Sequence, residues 1–139
     1  MTAKEYLRQA YRLNEKIDAD LEELSRLRSL STSISSPNLS GMPSSGSRNN
    51  DPAFARAIMK IIDFEKKIDA DIDRYVDLKK EIRQRISKIE NVNERLVLQY
   101  RYSNFDTWEQ IAEKMNFTVQ WVHELHKRAL HSFSKMYNL

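Results

Sequence analysis

Residues 107–130, TWEQIAEKMNFTVQWVHELHKRAL, read as two short helices meeting at a tight turn. Asp106 or Thr107 is a suitable N-cap, with Glu109 or Gln110 three residues on as the reciprocal partner of a capping box. The helix that follows, WEQIAEKM, ends at Asn116, which tolerates the left-handed backbone that stops a helix. Thr118 caps the next helix, which extends to about Tyr137. Ile111 and Met115 form the inner stripe of the first helix, and Val122 and Leu125 that of the second. Phe117 fills the turn, Trp108 supplies bulk, and Ala112 is small where the two helices approach most closely. Packing two short helices at a steep angle requires this combination, so the stretch is a helix-turn-helix.

Upstream, a helix is expected from about Val92 to Tyr102, broken by SNFD at 103–106. Before it, Pro52 to about Glu90 runs without a glycine or another proline, opened by Asp51 as N-cap and Pro52 at the first helical position. Phe54, Ile61, Ile68, Tyr75, Ile82 and Ile89 recur every seven residues. Ile58, Ile72 and Ile86 hold a second core position, with Glu65 and Lys79 as exceptions. That repeat is expected to form a coiled coil. Residues 1–30 carry a similar stripe at Ala10, Leu13, Ile17, Leu21, Leu24, Leu27 and Leu30, and Thr2 with Glu5 forms a capping box at its start. Between them, residues 31–51 hold eight serines within 31–50, two prolines and both glycines of the chain. Such a stretch buries too little apolar area to offset its ordering entropy, so it reads as a flexible linker. The expected architecture is all-α: a first coiled-coil helix (1–30), the linker (31–51), a second coiled-coil helix (52–90) forming a hairpin with the first, and a helix-turn-helix domain (91–139). The isoleucine repeat does not fix the number of strands, so parallel or antiparallel pairing stays open, as does a homodimer through the coiled coil.

Composition removes several function classes. Both glycines, Gly41 and Gly46, lie in the serine-rich stretch, so no P-loop or dinucleotide fingerprint is present. No strand pattern is found. There are no cysteines, which excludes disulfides and thiolate metal sites and fits a cytoplasmic location. No apolar run is long enough for a membrane span, and the charged N-terminus does not resemble a signal peptide. The net charge of +3 is too small to point to nucleic acid. Its distribution is uneven: residues 63–77 hold six acids against three bases, and residues 79–88 hold five bases against one acid. A solvated helix face accounts for this more readily than a phosphate or acidic-partner contact does.

From residue 107 to residue 133, without gaps, the sequence resembles region 4 of the sigma-70 family. The resemblance is carried by TWEQIAEKM, the turn NFT and the closing RAL at 128–130; ERLVLQYRY at 94–102 is similar to the preceding helix of that region. The layout of the whole chain is similar to that of small phage-encoded late transcription regulators of the ArpU and RinA type. This implies a DNA-binding transcription regulator in a bacterial host cell, with double-stranded DNA as partner and RNA polymerase as a further one. It also implies that the second helix of the motif lies in the major groove. The residues expected to meet DNA are Thr118, Val119, Gln120, His123, Glu124, Lys127 and Arg128. Gln120 can pair with an adenine edge, and Lys127 or Arg128 can meet phosphate or guanine. Glu124 can accept from cytosine or discourage misplacement on the backbone. The chain departs from the family at Val119 and Trp121, where sigma factors commonly place arginines. Fewer cations imply weaker phosphate attraction and a shallower salt dependence. Trp121 can serve packing, a thymine methyl or a protein contact.

His123 and His126 are a turn apart and His131 follows, but no third ligand stands at diagnostic spacing. HELH is also one residue short of the metalloprotease pattern, so no metal or cofactor is expected. Serine, histidine and acidic residues form no recognisable catalytic constellation, and no enzyme is expected. Two other classes fit the same residues. One is a protein-binding adaptor that docks on RNA polymerase or another protein without reading DNA. The other is a DNA-packaging component that works as an oligomer.

Overall fold

The structure, a computed structural model, describes residues 1–35 and 52–139. The expected linker beyond residue 35 and the Asp51 cap lie outside the described residues. The elements are α1 (Ala3–Ser35), α2 (Pro52–Ser87), α3 (Val92–Leu98), a π-helical turn (Gln99–Ser103), α4 (Trp108–Met115) and α5 (Val119–Tyr137). No strand occurs among the described residues, and no helix is long and apolar enough to cross a membrane.

The start of α1 is fixed by the anticipated capping box: the Glu5 N–H donates to Thr2 Oγ1 at 3.2 Å and the Thr2 N–H to Glu5 Oε2 at 3.0 Å. Its end lies further on than the sequence suggested, at Ser35 rather than near Leu30. Ser31 is buried, and the Thr32 hydroxyl returns to the Arg28 carbonyl at 2.9 Å. A hydroxyl bonded four residues back is satisfied inside a helix, so this serine- and threonine-bearing turn need not unwind. At the far end of α2, the Arg95 guanidinium donates to the Ile89 carbonyl at 2.9 Å and so covers an acceptor just past the last helical turn.

The chain divides into two compact units, Met1–Asn14 with Arg74–Leu139, and Glu15–Asp73. Both α1 and α2 contribute residues to each. In the first unit, Ala3, Tyr6, Leu7 and Ala10 of α1 share one core with Ile82, Ile86, Ile89, Leu98, Tyr102, Ala129 and Phe133. Leu7 and Phe133 are completely buried, and the Tyr6 and Phe133 rings stack at 5.9 Å. A second cluster joins Val97, Ile111, Ala112, Val122 and Leu125, with Trp108, Met115, Phe117 and Val119 packed against it. The α5 helix therefore serves two cores: its first turns hold α4 and α3, and its later turns hold the start of α1 and the end of α2.

In the second unit, Leu24, Ile61 and Ile68 form a core flanked by Leu27 and Phe64. Lys16 pairs with Asp71, and Arg28 pairs with Glu65 at 2.5 Å. Rising numbers on one helix thus meet falling numbers on the other, so the two segments are antiparallel. The second core position of α2 differs here from the one expected. Phe64, three residues after Ile61, packs inward, while Ile72, four residues after Ile68, is 37% exposed. The sequence offers apolar side chains on both flanks of the seam, and the facing helix covers the i+3 flank. Further along, in the first unit, Ile86 is buried as the repeat suggested.

Truncation at these two positions should separate seam from surface. Ile68→Ala should cost about 2–5 kcal/mol, as buried isoleucines do, and Ile72→Ala less than about 1 kcal/mol. Urea unfolding followed by far-ultraviolet circular dichroism reads both; equal losses would return Ile72 to the seam.

Candidate nucleic-acid interface

The geometry of the motif follows from its caps. The Thr107 hydroxyl accepts from the Gln110 N–H at 3.2 Å and the Gln110 side chain accepts from the Thr107 N–H at 2.9 Å, closing the capping box at the start of α4. Asn116 ends that helix in the left-handed conformation, φ 58° and ψ 42°, and the Phe117 N–H bonds back to the Ala112 carbonyl at 3.0 Å. A non-glycine residue there is tolerable because asparagine is among the few that visit this region readily. Thr118 caps α5 by accepting from the Trp121 N–H at 3.1 Å. Ala112 is buried at the crossing, as its size requires.

The entry to α4 differs from the simple break suggested by SNFD. After Leu98 the helix widens into the π-helical turn, with the Asn104 N–H reaching the Gln99 carbonyl at 3.1 Å. Phe105 follows with φ 60°, an outlier for a bulky side chain. The turn holds Arg101 beneath the motif: its Nη1 donates to the Asp106 carbonyl at 2.9 Å, and its guanidinium lies 4.2 Å from the centroid of the Trp108 ring.

The residues expected to meet a ligand fall into three groups. Gln120 and Lys127 are exposed on α5. Glu124 and Arg128 are exposed but pair with each other at 3.3 Å, and the Arg128 guanidinium stands 5.0 Å from the Trp121 ring centroid. Trp121 itself is on the surface. In the third group the Thr118 hydroxyl is used as a cap, Val119 packs against the core of the motif, and His123, exposed like Thr118, lies 4.7 Å from the Trp108 ring. The exposed side chains of this stretch include Gln120, Glu124, Lys127 and Arg128.

Charge is divided between the two units. Residues 1–14 and 74–139 carry 15 Lys and Arg against 9 Asp and Glu, a net of +6; residues 15–73 carry 8 against 11, a net of −3. A field of one sign around the unit bearing α5 favours approach of a polyanion.

Sequence reasoning did not place His126 in the interior, although its phase on α5, four after Val122 and three before Ala129, pointed there. Its Nε2 hydrogen-bonds with the Tyr102 hydroxyl at 2.6 Å, and the Trp108 ring stands edge-on to it at 4.7 Å. Burial, followed by the positive charges of Lys4, Arg101 and His123, pushes this imidazole down from 6.5 to about 4. Burial likewise raises the Tyr102 phenol to about 12, so the pair is neutral near pH 7. No group of three or more His, Cys, Asp or Glu among the described residues could hold a metal ion.

Residues 91–134 match the family model described as Sigma-70, region 4. The matched stretch begins at the N-cap of α3 and ends within α5, about a third of the chain. No curated protein matches the chain, and no solved structure does.

The buried histidine makes stability depend on pH in a defined direction. The unfolded chain takes up a proton near pH 6.5, whereas the folded chain resists until about 4. Stability is therefore complete above pH 6.5 and declines as the pH falls towards 4, by about 3 kcal/mol in all. Replacing the group by His126→Gln should reduce the difference in unfolding free energy between pH 7 and pH 4.5. If variant and wild type lose the same amount over that interval, His126 is not the titrating group.

Proposed function

We propose that this chain is a sequence-specific, DNA-binding transcription regulator whose α5 lies in the major groove. The observation that carries the reading is the match of 91–134 to Sigma-70, region 4, together with the exposed face of α5 bearing Gln120, Glu124, Lys127 and Arg128. Region 4 helix-turn-helix domains are DNA-binding and regulatory, and a helix presented by its partner across a tight turn suits groove entry. Gln120, near the start of α5, contacts bases, and Lys127, two turns further on, contacts phosphate. RNA polymerase is a further partner of the same domain. A helical pair ahead of such a domain supports placing the chain among small phage-encoded regulators working in the bacterial cytoplasm, with no enzymatic activity of its own.

One observation favours a second reading, an adaptor that docks on a protein. Arg128 is already paired with Glu124, and the groove beside Lys127 is flanked by Glu94 and Glu124. A surface of mixed sign suits a protein partner as well as a phosphate backbone.

Duplex titrations of the full chain at two salt concentrations discriminate. Gln120→Ala should cost about 1–3 kcal/mol on a site selected from random duplexes and little on random DNA. Lys127→Ala should weaken all duplexes alike and lower the salt slope by about one ion. Wild type that binds a selected site no better than random DNA would falsify sequence reading. Absence of any duplex binding would leave the adaptor.

A further inference from the structure

The first turns of α1 bring charge to the helix-turn-helix from outside the matched region. Lys4 and Arg8 are four residues apart and so share one face, exposed, while Ala3, Leu7 and Ala10 are buried. Both line a concavity of about 370 Å³ together with Arg101, Thr107 and Trp108, and no carboxylate is among the lining residues. Cations from two separate elements thus border one space without a countercharge. Such a gathering of like charge disfavours the compact state unless an anion enters it. Arg101 is held in place by the Asp106 carbonyl and the Trp108 ring, so its orientation is fixed before any ligand arrives. Thr107 is the cap of α4, so the positive end of that helix adds to the same wall. Phe105, in its unfavourable backbone conformation, also lines the concavity, and strain of this kind gathers at binding sites. Trp108 also lies 4.7 Å from His123, an exposed residue of α5, so one lining residue of the concavity is in contact with that helix.

We infer that Lys4, Arg8 and Arg101 form a phosphate-binding site, filled by a backbone phosphate of the duplex that α5 reads. Naming the duplex as the source rests on the function proposed above; a free polyphosphate shares the chemistry. The site gives the chain cations that α5 lacks at Val119 and Trp121, and supplies them from α1.

Two arms test the inference on the full chain. In the first, the double variant Lys4→Gln/Arg8→Gln is titrated with duplex DNA across a range of salt. The salt slope should fall by about two ions, equally on selected and random duplexes, and Lys4→Arg/Arg8→Lys should restore it. In the second, Trp121→Phe leaves Trp108 as the single tryptophan, and its emission is followed while tripolyphosphate is added. A saturable change that Lys4→Gln/Arg8→Gln abolishes supports the site. A response to tripolyphosphate in a chain that binds no duplex keeps the site, names a free polyphosphate as its ligand and overturns only the DNA reading. A salt slope unchanged by the double variant, with no Lys4- and Arg8-dependent change in Trp108 emission, overturns the site while leaving the role of α5 intact. Circular dichroism of the double variant establishes that its fold is retained; both side chains are exposed, so no loss is expected.

Discussion

The burial of Phe133 beside Leu7, with Ala129 and Ile82 around them, is the contact on which the first unit depends. An α-helix can offer an apolar stripe to one neighbour with little conflict, but α5 must satisfy two. Val122 and Leu125 turn towards α4, whereas Ala129 and Phe133 turn towards the ends of the two long helices. What is left is a single outward strip, and its composition decides what the helix can recognise. Without the α1 contribution, Phe133 and Ile82 would face water, each losing on the order of 1.5–3 kcal/mol of burial. The motif is therefore one part of a larger core.

The link before the motif carries a comparable constraint. A straight continuation of α3 would not bring Arg101 under Trp108 and place Thr107 to cap α4. The π-helical turn adds the extra residue that changes the phase, and Phe105 absorbs the sharp redirection at φ 60°. The Phe105 ring is compensated by contacts, edge-on to Tyr11 at 5.4 Å and with the Lys79 ammonium 5.1 Å from its centroid. π-Turns within helices recur at functional sites because they re-aim side chains that a regular helix would misdirect.

Features set by local chemistry were legible in the sequence. The Thr107 and Thr118 caps, the left-handed Asn116, the small Ala112 and the capping box at Thr2 each follow from a few adjacent residues. Features set by distant partners were not. Nothing in residues 1–14 announces that Leu7 meets Phe133, because the apolar stripe of α1 looks the same whichever helix covers it. Ile72 was expected in the seam and Phe64 was not; both are apolar, and only the facing helix chooses between them. Val119, expected among the residues that meet DNA, is the first residue of α5 and packs against the core of the motif. The Lys4, Arg8 and Arg101 grouping was invisible for the same reason: its outermost members are 97 positions apart along the chain.

The shared core also orders events in time. Contacts between α4 and α5 span few residues, so the motif can close early, at the rate of a short helical pair. Contacts between α1 and α5 span most of the chain, since Tyr6 stacks on Phe133. Closing so large a loop is entropically unfavourable and comes late. A folding chain should thus pass through a stage in which the motif is formed while Phe133, Ile82 and Ile86 are still wet. Such a species exposes an apolar seam to any neighbouring chain, so α1 acts as an intramolecular cover whose arrival ends the period of greatest aggregation risk.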